Sequence, residues 1–307
     1  SMPLSILDRP NSYIGQSNPR AGARPLLQGR GVFVDDLTLP RMVHVVFCRS
    51  PYAHAKIRSI NSDEAASTPG VLGIITGAEL LEYCSPWTGV LTHLQGLKSA
   101  PQHAIAIDRA CWQGEAVCAV IAETRAQAED AVALIDIEYE ELPVVVNMET
   151  ALDEHTPLIH PELGDNLCFE REVNFGEVDK AFADAHAVVE ETFNFGRHTG
   201  VCLETRGIVA DYNPATSHLT VYLSAQAPHM MKNLYAKHFG ISEDNVRVIC
   251  RDVGGSFGIK VHTYPDEMAT AALSIMLRRP VKFIADRQES FVTDIHARDH
   301  RVSARMA

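Results

Sequence analysis

Residues 251 to 260 read RDVGGSFGIK, three glycines within five positions around a single phenylalanine. The stretch follows the apolar run NVRVIC and precedes YPDEMATAALSIMLRRP, which has helical periodicity, so it joins a strand to a helix. Glycine inside a regular element costs roughly 0.5–1 kcal/mol and opens positive φ, so three of them mark a place where something comes close to the main chain. A nucleotide phosphate is excluded by spacing: GxxxxGK[ST] is absent, with Val261 after Lys260 where a hydroxyl would meet magnesium, and GxGxxG is absent too. What remains is a loop of N–H donors with one aromatic wedge, suited to an anionic or oxo-bearing ligand at a strand end. A tight turn with Phe257 in the core is the competing reading.

The rest of the chain reads as α+β. Met42 to Ser50 is expected as a strand, and AVCAVIAET, RAQAEDAVALI and DIEYEEL read as strand, helix and strand, with Thr124 as N-cap and Ala126, Ala133 and Leu134 on one apolar stripe. TPGVLGIITGAELLEY supplies a further strand and a short helix. The segment LDEHTPLIHPELGDN is rich in Pro, Asp and Gly and reads as a connection. The expected division is an extension over 1–20, whose opening Ser-Met reads as a tag remnant ahead of the initiator, a domain over 21–150, a linker over 151–170 and a second domain over 171–307. In the second domain we expect a helix from Glu177 to Ala185 and then strands GIVADYN and HLTVYLSAQ. The helix APHMMKNLYAKHF closed by Gly240 follows, then strand NVRVICRDV, a helix ending before Pro280, and strand VKFIADR.

Composition removes several function classes. A net charge of −12 without a Lys/Arg stripe argues against a nucleic-acid surface. No apolar run is long enough to span a bilayer and no secretory leader is apparent. The seven cysteines form no CxxC pair, and the apolar neighbours of Cys118 and Cys250 read as reduced, buried thiols of a cytoplasmic protein. Iron–sulfur or zinc ligation by this chain is not expected. His198, His229 and His262 lie near the interesting loops, but isolated histidines usually pack or hydrogen-bond rather than ligate a metal.

DVGGSFGIK resembles the molybdopterin-binding loop of the xanthine dehydrogenase/aldehyde oxidase family, in particular its carbon-monoxide-dehydrogenase-like large subunits. LSAQAPH resembles that family's glutamine segment, and RPVKFIADRQESFVTDIHARDH its strand and following stretch. GRGVFVDDLTLPRMVHVVFCRSPYAHAKI and QGEAVCAVIAETRAQAEDAVALIDIEYEELPVVV are similar to its α/β hammerhead domain. The likeness runs in family order from about residue 21 to residue 307.

The resemblance implies a hammerhead domain followed by the first part of a molybdopterin-binding domain. It also implies a hydroxylase that inserts a water-derived oxygen into a C–H bond, with electrons leaving through iron–sulfur clusters and FAD on partner subunits. Gln226, Gly254, Gly255, Ser256, Phe257 and Gly258 are the cofactor-binding residues it points to, and no residue of this chain is expected to ligate the metal directly. The dinucleotide form of the molybdopterin, cytosine among the choices, stays open. Val261 stands where purine-oxidising relatives carry a glutamate, which disfavours purines; aldehydes, N-heterocycles and similar small molecules stay open. The family's Gly-Glu general base has no counterpart, so this chain alone is expected to be inactive, and Glu204 in CLETRG reads as structural or pocket-lining. A piece of a longer subunit, a split subunit completed by a second molybdopterin-domain chain, and a non-catalytic scaffold or cofactor-assembly protein are the readings left open.

Overall fold

The computed structural model describes Tyr13 and residues 15–89, 91 and 93–307; the terminal Ser1 and Met2 lie outside the described residues. The first half runs α1 (Ala23–Leu27), β1 (Val43–Arg49), β2 (Ala55–Asn61), α2 (Asp63–Ala66), β3 (Val71–Thr76), α3 (Gly77–Leu80), β4 (Arg109–Ala110), β5 (Ala116–Ala122), α4 (Arg125–Val132) and β6 (Asp136–Glu141). The second runs α5 (Val178–Ala183), β7 (Val189–Phe195), β8 (Gly207–Asn213), β9 (His218–Leu223), α6 (Pro228–Phe239), β10 (Val246–Ile249), α7 (Pro265–Leu277), β11 (Val281–Ile284), α8 (Arg287–Thr293) and β12 (His300–Met306).

Seven strands form one mixed sheet in the order β10-β9-β8-β11-β1-β5-β3, which draws strands from both sides of residue 150. The join is short and parallel, Val43 against Val281 and His44 against Lys282. β5, AVCAVIA, is buried at every position because its sheet is covered on both faces, which is why it reads as an unbroken apolar run. On one face lie Met231 and Tyr235 of α6 with Met268, Ala272 and Leu273 of α7. On the other, α4 packs Ala128 and Ala131 against Val120 and Ala122. Thr124 caps α4 as expected, accepting from Gln127 N at 3.2 Å. The apolar stripe expected on Ala126, Ala133 and Leu134 is wrong: Ala126, Ala133 and Leu134 face solvent. The smallest side chains, Ala128 and Ala131, one turn apart, let the helix approach β5 closely.

A three-stranded sheet, β4-β2-β6, belongs to the first half alone, and β7 pairs with β12 in an outlying two-stranded ribbon whose residues are all exposed. Residues 142–177 carry no strand and only a 3₁₀ turn at Pro161–Leu163. They are nevertheless tied down: Lys98 N donates to Cys168 O at 2.8 Å, and the Asn166 amide donates to Ala151 O and Pro157 O. No helix of the described residues is long and apolar enough to cross a membrane.

Candidate functional site

β9 and β10 run parallel, with Tyr222 opposite Ile249, so both chains leave the sheet at the same edge. The carboxyl ends of adjacent parallel strands are where open α/β sheets place ligands. From β9 the chain passes through Ser224, Ala225 and Gln226 into α6. From β10, which ends at Ile249 earlier than the sequence indicates, an irregular segment carries the glycine loop to α7. Gln226 N donates to Lys260 O at 2.9 Å and joins the two crossings.

Glu204 braces the loop from below. Its Oε2 accepts from Ser224 Oγ at 2.7 Å, from Gly254 N at 2.7 Å and from Lys260 Nζ at 2.9 Å, while Glu204 N donates to Gly254 O at 3.0 Å. Lys260 is 3% exposed, so its ammonium has exchanged water for this carboxylate. The approach is so close that a Cβ on Gly254 would lie 2.4 Å from Glu204 Cβ. The Cys202 thiol donates to Ser256 O at 3.3 Å, and Arg287 Nη2 fixes the same bracing segment through Cys202 O and Leu203 O. The structural reading of Glu204 is thus correct; Lys260, Ser224 and Arg287 are parts of the brace that the sequence does not single out.

The top of the loop is left unpaired. Gly255, Phe257 and Gly258 take φ of +97°, +50° and +86°, and the N–H groups of Gly255, Ser256, Phe257 and Gly258 find no acceptor among the described residues. Successive N–H groups in such alternating conformations form a concavity for an anion or an oxo group. The Ser256 hydroxyl donates to Gln226 Oε1, and the Gln226 amide nitrogen has no acceptor among the described residues. Phe257 is 77% exposed, which removes the reading of this loop as a turn with its phenylalanine in the core. These donors fit an oxo-bearing group. Gly255 is needed for its φ whatever lies above it, since a side chain at +97° is strained.

A cavity of about 400 Å³ flanks the loop, lined by His198, Phe257, Gly258, His262, His296 and Arg298. His229, by contrast, sits in α6. A larger cavity, about 1110 Å³, lies against β2 and β4 beside Trp112 and Glu115 and includes none of the loop residues; donors, not size, single out the smaller one.

Behind the brace a buried ion network locks α7 and α8 to β1. Arg206, fully buried, grips Asp266 with both terminal nitrogens at 2.7 and 2.9 Å, donates to Asp294 at 2.6 Å and stacks 3.7 Å from the Tyr264 ring. Arg49 reaches the same Asp266 at 2.8 Å and Glu289 at 2.7 Å. Burial works to raise the Asp266 carboxyl, but Arg206 and Arg49 overcome it and hold it well below the usual carboxylate range. Glu267 is pushed up to about 8, chiefly by burial, which its long 3.4 Å contact with Arg206 does not offset.

Two family models match the chain: the aldehyde oxidase and xanthine dehydrogenase a/b hammerhead domain over residues 28–143, and the molybdopterin cofactor-binding domain over residues 159–307. The nicotine 6-hydroxylase large subunit of Paenarthrobacter nicotinovorans is 35% identical over 309 residues, covering 98% of this chain and 38% of that relative. The carbon monoxide dehydrogenase large chain of Hydrogenophaga pseudoflava is 34% identical over 305 residues, covering 94% and 37%. Among solved structures, quinoline 2-oxidoreductase from Pseudomonas putida 86 matches with a TM-score of 0.90 and 36% identity, over 95% of this chain and 37% of that one. The chain spans a little over a third of the length of these relatives.

Proposed function

Since the chain belongs to the xanthine dehydrogenase/aldehyde oxidase family, pairing its hammerhead domain with molybdopterin-binding sequence, we propose that Gln226 and the loop of Gly254, Gly255, Ser256, Phe257 and Gly258 hold the metal end of a molybdenum–molybdopterin. The observation that carries this reading is the run of four unpaired N–H groups beside an amide whose carbonyl is already held by Ser256. When bound, that group supplies the two-electron oxidation and the oxygen insertion. The Gln226 amide nitrogen and the loop N–H groups would hold and orient that group as hydrogen-bond donors, and the exposed Phe257 ring would shield it from water.

A general base is assigned to residues outside this chain. Within this chain the nearby carboxylates serve the brace: Glu204 Oε2 accepts from three donors, and Asp252 Oδ2, at the start of the loop, accepts from Val32 N at 2.7 Å. Substrate is drawn from small N-heterocycles, aldehydes and similar molecules. The names of two relatives, nicotine 6-hydroxylase and quinoline 2-oxidoreductase, put N-heterocycles first. Partner chains bearing iron–sulfur clusters and FAD receive the electrons, and the cofactor's cytosine dinucleotide form is part of the same reading. The test is molybdenum and pterin content, with turnover of N-heterocycles and aldehydes, for the chain reconstituted alone and together with its neighbouring gene products. Metal retention and turnover only in the assembled protein support the reading; turnover by the chain alone overturns the assignment of the base.

A further inference from the structure

The antiparallel register of β1 and β5 places Cys48 directly opposite Cys118. Directly opposed antiparallel residues have Cα atoms about 4.5–5.5 Å apart, inside the roughly 4.4–6.8 Å span that a disulfide accepts. Both cysteines are free thiols, and no other two of the seven are strand partners among the described residues. The pairing shifts register immediately beyond them, between Cys48 and Arg49, so the ladder is locally interrupted beside the pair. From this placement we propose that Cys48 and Cys118 form a thiol pair that peroxide converts to a cross-strand disulfide.

The two thiols differ in the way such a reaction requires. Cys118 is fully buried in the sheet, whereas Cys48 is partly exposed and packs, like Ile57 and Tyr139 of the three-stranded sheet, against the cluster of Ala106, Ala110 and Val117. The neighbouring Cys118 thiol works to lower the pKa of the Cys48 thiol against the opposing effect of burial, while the Cys48 thiol and burial both raise that of Cys118. The thiolate is the nucleophile, so Cys48 reacts first. Its sulfur attacks one peroxide oxygen, breaking the O–O bond to give a sulfenic acid and, with a proton, water. The Cys118 sulfur then displaces the hydroxyl from Cys48 sulfur; the S–S bond forms, the Cys118 proton leaves with the hydroxyl as a second water, and two thiols have been oxidised by one peroxide. Arg49 follows Cys48 in the chain and holds Asp266 and Glu289, so the bond would fix β1 to β5 at the root of the ion network.

The purified protein is treated with a small molar excess of hydrogen peroxide, quenched by alkylation before unfolding, and mapped by mass spectrometry with a parallel thiol titration. The proposal expects two of the seven thiols to disappear, a mass lower by two hydrogens, a linked peptide pair joining Cys48 to Cys118, and full reversal by dithiothreitol. Cys48→Ser and Cys118→Ser should each abolish that link; the unaltered protein carries the primary readout, so a variant that folds poorly does not decide the matter. Seven surviving thiols, Cys48 carried on to sulfinic acid without a link, or a link between other cysteines would each overturn it.

Discussion

Removing the Glu204 carboxylate tests the brace beneath the glycine loop. In Glu204→Ala the Lys260 ammonium, 3% exposed, loses its counter-charge, and Ser224 Oγ and Gly254 N lose their acceptor. Breaking a buried ion pair by deleting one partner costs about 3–5 kcal/mol, because the other charge is left uncompensated. At roughly 2.1 cal/mol/K of unfolding entropy per residue, 307 residues give about 0.6 kcal/mol per degree, so the thermal midpoint should fall by about 5–8 °C. The assay is thermal unfolding of the metal-free protein followed by circular dichroism, which separates the brace from any ligand. Glu204→Leu combined with Lys260→Met removes both charges and should recover part of the loss, since neither partner is then stranded. A fall of less than about 2 °C in Glu204→Ala, or a double variant worse than the sum of its parts, would refute the reasoning.

Gln226→Ala should leave molybdenum content nearly intact in the assembled protein and lower turnover by roughly ten- to a thousandfold, the effect of losing one preorganised donor; steady-state kinetics with metal analysis checks it. Phe257→Ala should shift the metal-free midpoint by less than about 1 °C, because the ring is 77% exposed, yet reduce metal retention; an equal midpoint with equal retention would remove Phe257 from the site. Glu267 predicts a pH effect on stability. Its folded carboxyl titrates at about 8 against an ordinary 4.5, so between those values the folded chain keeps a proton that the unfolded chain has released. Stability should therefore fall as pH rises from about 4.5 to 8 and level off above. Asp266, held low, adds stability above the usual carboxylate range and loses it only in stronger acid. Glu267→Gln should flatten the slope between pH 5.5 and 8.5, as read from unfolding midpoints; a slope unchanged in the variant would show that Glu267 does not titrate there.

Much of this was legible in the residues because local chemistry matched the final structure. The unbroken run AVCAVIA reads as a strand because it is buried on both faces, and Gly240 ends α6 in the left-handed conformation at φ +65° that glycine favours. The glycine loop and Gln226 were both visible, one by its spacing and the other through a family likeness. What was hidden depends on distant partners. Asp266 and Glu267 look like ordinary first-turn acids of a solvent-facing helix, and the arginines that make the burial of Asp266 tolerable, Arg206 and Arg49, lie 60 and 217 residues earlier. The stripe of α4 was misread because Ala126, Ala133 and Leu134 are as apolar as Ala128 and Ala131, and only the approach of β5 decides which alanines are covered. Helix α8 escaped notice for a similar reason, since RQESFVT is short and polar and is set by the Asp286 cap and the Arg49 contact to Glu289. That β1 and β11 would meet and carry one sheet across both halves follows from long-range pairing that periodicity does not contain.

If the unpaired N–H groups of the glycine loop receive the cofactor, amide hydrogen exchange reads the change at those groups directly. In the metal-free protein the amides of Gly255, Ser256, Phe257 and Gly258 have no acceptor among the described residues and should exchange quickly, while Gly254 N, bound to Glu204, should exchange slowly. Loading with molybdenum–molybdopterin should slow exchange at the four loop amides by at least roughly tenfold, the change expected from one added hydrogen bond each. Unchanged exchange across Gly255 to Gly258 in fully loaded protein, with protection appearing elsewhere, would contradict the account.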